Sequence, residues 1–109
     1  MTDAFTVESD SRGDTTTLRL QGELDLATAA QLLRAADDSL GTAPTLVVDL
    51  SRLQFLDSSG LRALLVIRDR CVGASMAMRL IPGPENVNRV FRVSGVEKFF
   101  EFSNRPVEP

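Results

Sequence analysis

A chain of 109 residues is long enough for one domain with a substantial core and leaves little room for a second. The hydrophobic share of 43% and the charged share of 25% are ordinary for a globular protein, and the net charge of −3 argues against nucleic acid as the main ligand, because phosphate binding requires a basic surface. The sequence contains no histidine, which excludes Ser-His-Asp and Cys-His catalytic sites and argues against a zinc site. We therefore predict neither a metal nor a cofactor.

The same composition bears on the location of the protein. The N-terminus has no basic segment followed by an apolar one, and the longest aliphatic run, 64–67, is far too short to span a bilayer. Cys71 is the single cysteine, so it cannot form an internal disulfide, and we interpret it as a small core residue. The sequence predicts a cytoplasmic protein without membrane insertion.

The first part of the chain predicts two strands and a helix. Residues 5–9 and 15–21 have the alternation of half-buried strands around a turn at 11–14, and Gly22 marks the end of the second strand. Asp25 can cap a helix from about 26 to 40. The apolar face of that helix comprises Ala29, Leu32, Leu33, Ala36 and Leu40.

The centre of the chain predicts a buried strand followed by a helix. Leu46-Val47-Val48 suits a strand that is buried on both faces and ends near Leu50, and a connection with three apolar anchors follows it. Asp57-Ser58-Ser59-Gly60 combines residues that favour helix N-caps with a glycine that permits close backbone approach. The apolar face of the helix comprises Leu61, Ala63, Leu64, Leu65, Ile67 and Cys71, and Arg62, Asp69 and Arg70 lie opposite.

The last third predicts a strand at 75–81, a break at 82–84, a short helix to about Val93, and a final strand or docked segment at 98–102. Strands that alternate with helices indicate parallel pairs joined by right-handed crossovers. We predict an α/β fold in one domain, 1–109, with a mixed, mostly parallel sheet of four to five strands and three to four helices. The ordered core spans about 5–102, and the tail, 103–109, is frayed.

This topology brings two parts of the sequence together. The strands that flank the first helix run parallel and finish at the same edge of the sheet, where α/β proteins usually place their sites. Asp25 and Ser58 both follow such strand ends, so we expect them at one end of the molecule. Asp25 and Asp57 each have a structural interpretation as a helix cap, and Ser58 has one as a helix cap or as the neighbour of one.

Two segments of the chain resemble a known family. VVDLSRLQFLDSSGLRALL at 47–65, with GELDLATA at 22–29, is similar to the STAS domain of bacterial anti-sigma-factor antagonists. The resemblance covers about 5–102. STAS domains commonly carry a further C-terminal helix, whereas only seven residues follow Phe102 here, so the last element stays open.

The resemblance implies a function and a site. The chain would bind an anti-sigma factor that is a serine kinase, release a sigma factor, and be switched off when the kinase, which binds the ATP, phosphorylates Ser58. A phosphatase would reset the switch. The implied partner-binding residues are Asp25, Asp57, Ser58, Ser59 and Gly60, and no residue would be catalytic.

There are three alternatives to this function. The first keeps the fold as a STAS docking module of a multi-protein complex, such as a lipid-transport assembly, without a phosphorylation switch. The second is an enzyme with Ser58 as nucleophile, which lacks a histidine base and would require Asp57 with a strongly raised pKa. The third is a phosphoacceptor-aspartate receiver centred on Asp49 or Asp57, for which Lys98 falls too near the end of the chain.

Overall fold

The computed structural model describes residues 4–103, and its elements follow one another in the predicted order. They are β1 (Thr6–Arg12), β2 (Thr15–Leu24), α1 (Ala29–Ser39), β3 (Thr45–Leu56), α2 (Ser58–Gly73), β4 (Ala77–Ile81), α3 (Glu85–Ser94), a 3₁₀ turn (Glu97–Phe99) and β5 (Glu101–Phe102). The predicted last strand is thus present as β5. The predicted frayed tail lies outside the described residues, except for Ser103, whose N–H donates to the Leu80 carbonyl at 2.8 Å.

The strands of the described region form one sheet in the order β1-β2-β3-β4-β5. β1 pairs with β2 antiparallel, and each later pair is parallel. This confirms the predicted mixed, mostly parallel sheet. The three helices cover one face of it, because their buried residues share one core cluster with the inward-facing residues of β2, β3 and β4. That cluster includes Leu18, Leu20, Leu32, Leu46, Val48, Leu64, Ile67, Leu80, Val87 and Phe91.

Three strands are longer than predicted, and the first of them, β1, continues to Arg12, where a turn was expected. β3 does not end near Asp49 or Leu50 but continues to Leu56, so the predicted connection is part of the strand. The register against β2 shifts between Arg19 and Gln21 and again after Gly22, and each shift leaves β3 with one extra residue. Such bulges break the alternation of buried and exposed side chains, so the buried residues of this segment, Leu50, Leu53 and Leu56, lie three apart. Gly22 has a φ of +98° and lies inside β2 at the second shift, so it does not end the strand.

The helices also depart from the prediction in detail. α1 begins at Ala29 rather than near 26, and its N-cap is Thr28 rather than the predicted Asp25, because the Asp25 carboxylate closes a turn of its own before the helix. On α2, Leu64 is fully buried, whereas Leu65 is only half-buried. Successive residues are about 100° apart around a helix, so Leu65 lies to the side of the line that faces the sheet. The burial of Val47, outside the helix-covered cluster, confirms that β3 is buried on both faces at this level.

Candidate functional site at the carboxyl ends of β2 and β3

β2 and β3 end side by side. Leu24 pairs with Leu56 in the parallel register, and the N–H of Asp57 donates to the Leu24 carbonyl at 3.3 Å. The residues that follow, Asp25 and Asp57, therefore leave the sheet at neighbouring positions. The structure thus brings the two sequence segments to one edge, as the topology predicted.

The turn after β3 is an N-cap that leads directly into α2. Oδ1 of Asp57 accepts the N–H of Gly60 at 2.9 Å, and the Asp57 carbonyl accepts the N–H of Leu61 at 2.9 Å. Asp57 is thus the cap, as interpreted from the sequence, and Ser58 is the first residue of the helix. The Ser58 side chain is exposed, and its hydroxyl has no hydrogen-bond partner among residues 4–103, whereas Ser59 is half-buried. The cap leaves the Ser58 hydroxyl available to another molecule.

Gly60 lies buried beneath this turn. A Cβ at this position would lie 2.6 Å from the Leu24 carbonyl oxygen and 2.8 Å from Cδ1 of Leu56, distances that real Cβ atoms do not adopt. Only glycine lets the first turn of α2 approach the ends of β2 and β3 so closely. Its role in the described structure is to position Ser58, and it carries no chemistry of its own.

The turn after β2 is held by hydrogen bonds within residues 23–28. Oδ1 of Asp25 accepts the N–H groups of Ala27 and Thr28 at 3.0 and 3.2 Å, and Oγ1 of Thr28 donates to the Glu23 carbonyl at 2.8 Å. This local network delays the start of α1 to Ala29. It also directs Leu26 outward, where 78% of its surface is exposed.

A shallow groove of about 360 Å³ runs beside Ser58, between the N-terminal parts of α1 and α2. It is lined by Leu26, Ala29, Leu33, Ser58, Ser59, Arg62, Ala63 and Val66. Leu26 and Arg62 are contributions that the sequence analysis did not assign to the site. The sequence predicted Leu26 only as the first residue of the helix, so the observed turn alone reveals its exposure. A groove with an apolar wall and a polar rim suits a protein partner.

The described residues offer little for catalysis at this edge. One carboxylate oxygen of Asp57 is engaged by the cap, and no group of three or more potential metal ligands occurs among residues 4–103. Asp49 lies within β3, where Oδ1 accepts the N–H of Ser51, and Lys98 packs over the Phe99 ring beyond α3. The arrangement presents an exposed hydroxyl to an external group.

No helix in the described part of the chain is long and apolar enough to cross a membrane. Residues 7–102 match the family model described as "Mlab, STAS domain". The chain belongs to the STAS domain family. This STAS domain is 32% identical over 99 residues to the anti-sigma-F factor antagonist RsfB of Mycobacterium tuberculosis. The aligned region covers 90% of this chain and 80% of that protein.

Solved structures agree with this assignment. An anti-sigma factor antagonist from Mycobacterium paratuberculosis has the same fold, with a TM-score of 0.85 at 24% identity over 94% of this chain and 87% of that one. The anti-sigma factor antagonist SpoIIAA in its unphosphorylated form has a TM-score of 0.73 at 26% identity, over 94% of this chain and 90% of that one. The Bacillus SpoIIAA in its phosphorylated form has a TM-score of 0.68 at 25% identity, covering 94% and 93%. This STAS domain is thus similar to antagonists in both states.

Proposed function

We propose that this STAS domain is an anti-sigma-factor antagonist. It binds an anti-sigma factor that is also a serine kinase, displaces the sigma factor, and is switched off by phosphorylation of Ser58. One observation carries the proposal: an exposed serine begins α2 beside an open groove, in a chain that is 32% identical to an anti-sigma-F factor antagonist. The existence of SpoIIAA in phosphorylated and unphosphorylated forms supports a covalent switch in relatives of this chain.

In this proposal the partner supplies the catalyst and the ATP. Oγ of Ser58 forms the new bond to the γ-phosphorus, the bond from that phosphorus to the β-phosphate oxygen breaks, ADP leaves, and the hydroxyl proton passes to a base of the kinase. A separate phosphatase hydrolyses the phosphoserine with water and restores the hydroxyl. The STAS domain is then substrate and regulator rather than enzyme, and it works in the cytoplasm with its partners.

The proposed docking surface is the edge that carries both acidic turns. Its polar part comprises Asp25, Asp57, Ser58 and Ser59, and its apolar part is the groove with Leu26. The buried Gly60 lets the turn lie close to the ends of the two strands. A charged rim around an apolar centre directs association and excludes wrong partners. The kinase must also reach Ser58, so binding and phosphorylation use the same surface.

Phosphorylation would oppose binding through charge. A phosphoserine carries about −1.5 to −2 charges at pH 7. At the contact surface this charge would be desolvated beside Asp57 and near Asp25, and like charges in contact cost several kcal/mol. A cost of about 3 kcal/mol weakens binding on the order of 100-fold, because each 1.4 kcal/mol is tenfold.

The test is titration calorimetry of the unmodified and the Ser58-phosphorylated chain against the anti-sigma factor, with a thermal melt of each form. We expect the affinity to fall on the order of 100-fold while the melting temperature stays close to that of the unmodified chain. Ser58→Ala should bind constitutively, and Ser58→Asp should imitate the off state incompletely because it carries less charge. Ser59→Ala is the matched control and should remain switchable. Equal affinities of the unmodified and the phosphorylated chain would contradict the switch. Phosphate found only on Ser59 would assign the phosphorylation site to Ser59 instead of Ser58.

A docking module in a multi-protein assembly, such as a lipid-transport complex, is the competing function. The groove and the exposed Leu26 would serve such a role without any modification of Ser58. Affinity capture from the native cell, with and without phosphatase treatment, separates the two. Recovery of a transporter ATPase regardless of treatment would favour the docking module, and phosphate-dependent recovery of an anti-sigma factor would favour the antagonist.

A further inference from the structure

Arg62 lies one helical turn after Ser58, and both residues line the same groove. We propose that Arg62 binds the phosphate of the Ser58-phosphorylated chain through an ion pair within α2. This inference rests on the proposed phosphorylation of Ser58 and assigns a specific residue of the same chain to the product.

Helix geometry places the two side chains within reach. Residues four apart on a helix are neighbours, with Cβ atoms about 5–6 Å apart. Each Cα–Cβ bond tilts toward the N-terminus of its helix, so the long side chain of Arg62 can reach back toward Ser58. A planar guanidinium can donate two parallel N–H bonds to phosphate oxygens, which is the geometry that arginine provides and lysine does not.

Arg62 is also available for this contact. It is exposed, and it has no carboxylate within ion-pair distance among residues 4–103. Arg68 and Arg70 on the same helix are engaged instead, with the Phe99 carbonyl and with Asp37. Forming the new pair therefore requires no existing ion pair to break.

The charges around Ser58 make such a cation useful. Asp57 precedes Ser58, and Asp25 leaves the sheet at the neighbouring strand end. Both carboxylates have an oxygen engaged with backbone N–H groups, so neither can turn away without losing its hydrogen bonds. Among the residues that line the groove, including those that α1 contributes, Arg62 alone is charged. It therefore offsets part of the repulsion between the phosphate and the two aspartates.

The experiment measures the second pKa of the phosphate by ³¹P NMR in chains that carry phosphoserine at position 58, introduced by genetic encoding, without any partner. An isolated phosphoserine has a second pKa of about 6. In the unsubstituted chain Arg62 stabilises the dianion, so Arg62→Gln should raise this pKa by about 0.2–0.7 unit at low ionic strength. The difference should shrink in high salt, since the pair is exposed. Arg62→Lys should retain part of the effect, because the positive charge remains.

Arg89→Gln provides the matched control, since it removes one exposed arginine charge from α3 instead of α2. It should raise the phosphate pKa less than Arg62→Gln does, because Arg89 lies on another helix and does not line the groove that Ser58 lines. An Arg62→Gln value equal to that of the unsubstituted chain, or an equal shift in both glutamine variants, would overturn the inference. If phosphorylation still abolishes partner binding in that case, the proposed function stands without Arg62. A rise in the phosphate pKa that is larger in Arg62→Gln than in Arg89→Gln supports the ion pair. If phosphorylation of Ser58 then leaves the affinity for the partner unchanged, the result contradicts the switch.

Discussion

After β2 and after β3 the chain leaves the sheet at neighbouring positions, and in each case an aspartate follows directly. The turn after β3 leads at once into α2, with Gly60 packed against the ends of both strands. The turn after β2 is held by hydrogen bonds of Asp25 and Thr28 within the same short segment, and α1 begins only at Ala29.

The difference concerns what holds each turn in place. The β3 turn depends on the core, because its position follows from the docking of α2 on the sheet. The β2 turn depends on hydrogen bonds within its own segment and leaves Leu26 exposed. The proposed phosphoacceptor, Ser58, is therefore on the turn that core packing fixes, where its position is set independently of any partner.

The largest expected effect comes from undocking α2. Leu64 is fully buried among core residues, so Leu64→Ala should lower the free energy of unfolding by about 2–5 kcal/mol. Leu65→Ala is the neighbouring control, and we expect a smaller loss because Leu65 is only half-buried. Chemical denaturation measures both. A denaturation midpoint of Leu64→Ala close to that of the unsubstituted chain would mean that the core does not hold the β3 turn.

A smaller effect is expected from crowding the strand ends. Gly60→Ala places a Cβ against the Leu24 carbonyl and the Leu56 side chain, and overpacking of this kind costs about 1–3 kcal/mol. Gly73→Ala is the matched control near the other end of α2, where a Cβ would meet no atom within 4 Å. It should be neutral or stabilising by up to about 1 kcal/mol. Indistinguishable denaturation midpoints for the two variants would contradict the proposed close approach.

In the β2 turn, the hydrogen bonds of Asp25 and its negative charge can be removed separately by substitution. Asp25→Ala removes the acceptor for the Ala27 and Thr28 N–H groups and should cost about 0.5–2 kcal/mol of stability. We expect a larger effect on partner affinity or phosphorylation rate than on folding. Asp25→Asn keeps an acceptor oxygen without the charge, so it should recover stability more than binding. If Asp25→Ala lowers stability while the affinity for the kinase and the phosphorylation rate are unchanged, Asp25 serves only to hold its turn.

The smallest effect concerns the far end of α2, where Cys71 is buried. Burial raises the pKa of the Cys71 thiol above its ordinary value of 9.0. The folded state therefore holds the proton more tightly than the unfolded state, so this contribution to stability is present below pH 9.0 and is lost as the pH rises through the folded-state pKa. Denaturation between pH 8 and pH 10 should show a small loss that Cys71→Ala lacks. An identical pH dependence in both chains would contradict the burial of the thiol in solution.

Several features of this protein follow from the sequence alone. The order of strands and helices, the parallel pairing of β2 with β3, and the cap at Asp57 depend on periodicity and cap chemistry within a few residues. The juxtaposition of Asp25 and Ser58 at one edge followed as well, because right-handed βαβ units align the carboxyl ends of parallel strands.

Only the tertiary structure decided the extension of β3 to Leu56, the late start of α1, the exposure of Leu26 and the half-burial of Leu65. Each depends on contacts between segments far apart in the chain or on competition between a local turn and a helix. The bulges in β3 set the buried residues Leu50, Leu53 and Leu56 three apart, and the turn at Asp25 lies where the sequence predicted the start of a helix. Periodicity describes which side chains share a face, whereas register shifts and close approaches such as that of Gly60 depend on how the faces pack together.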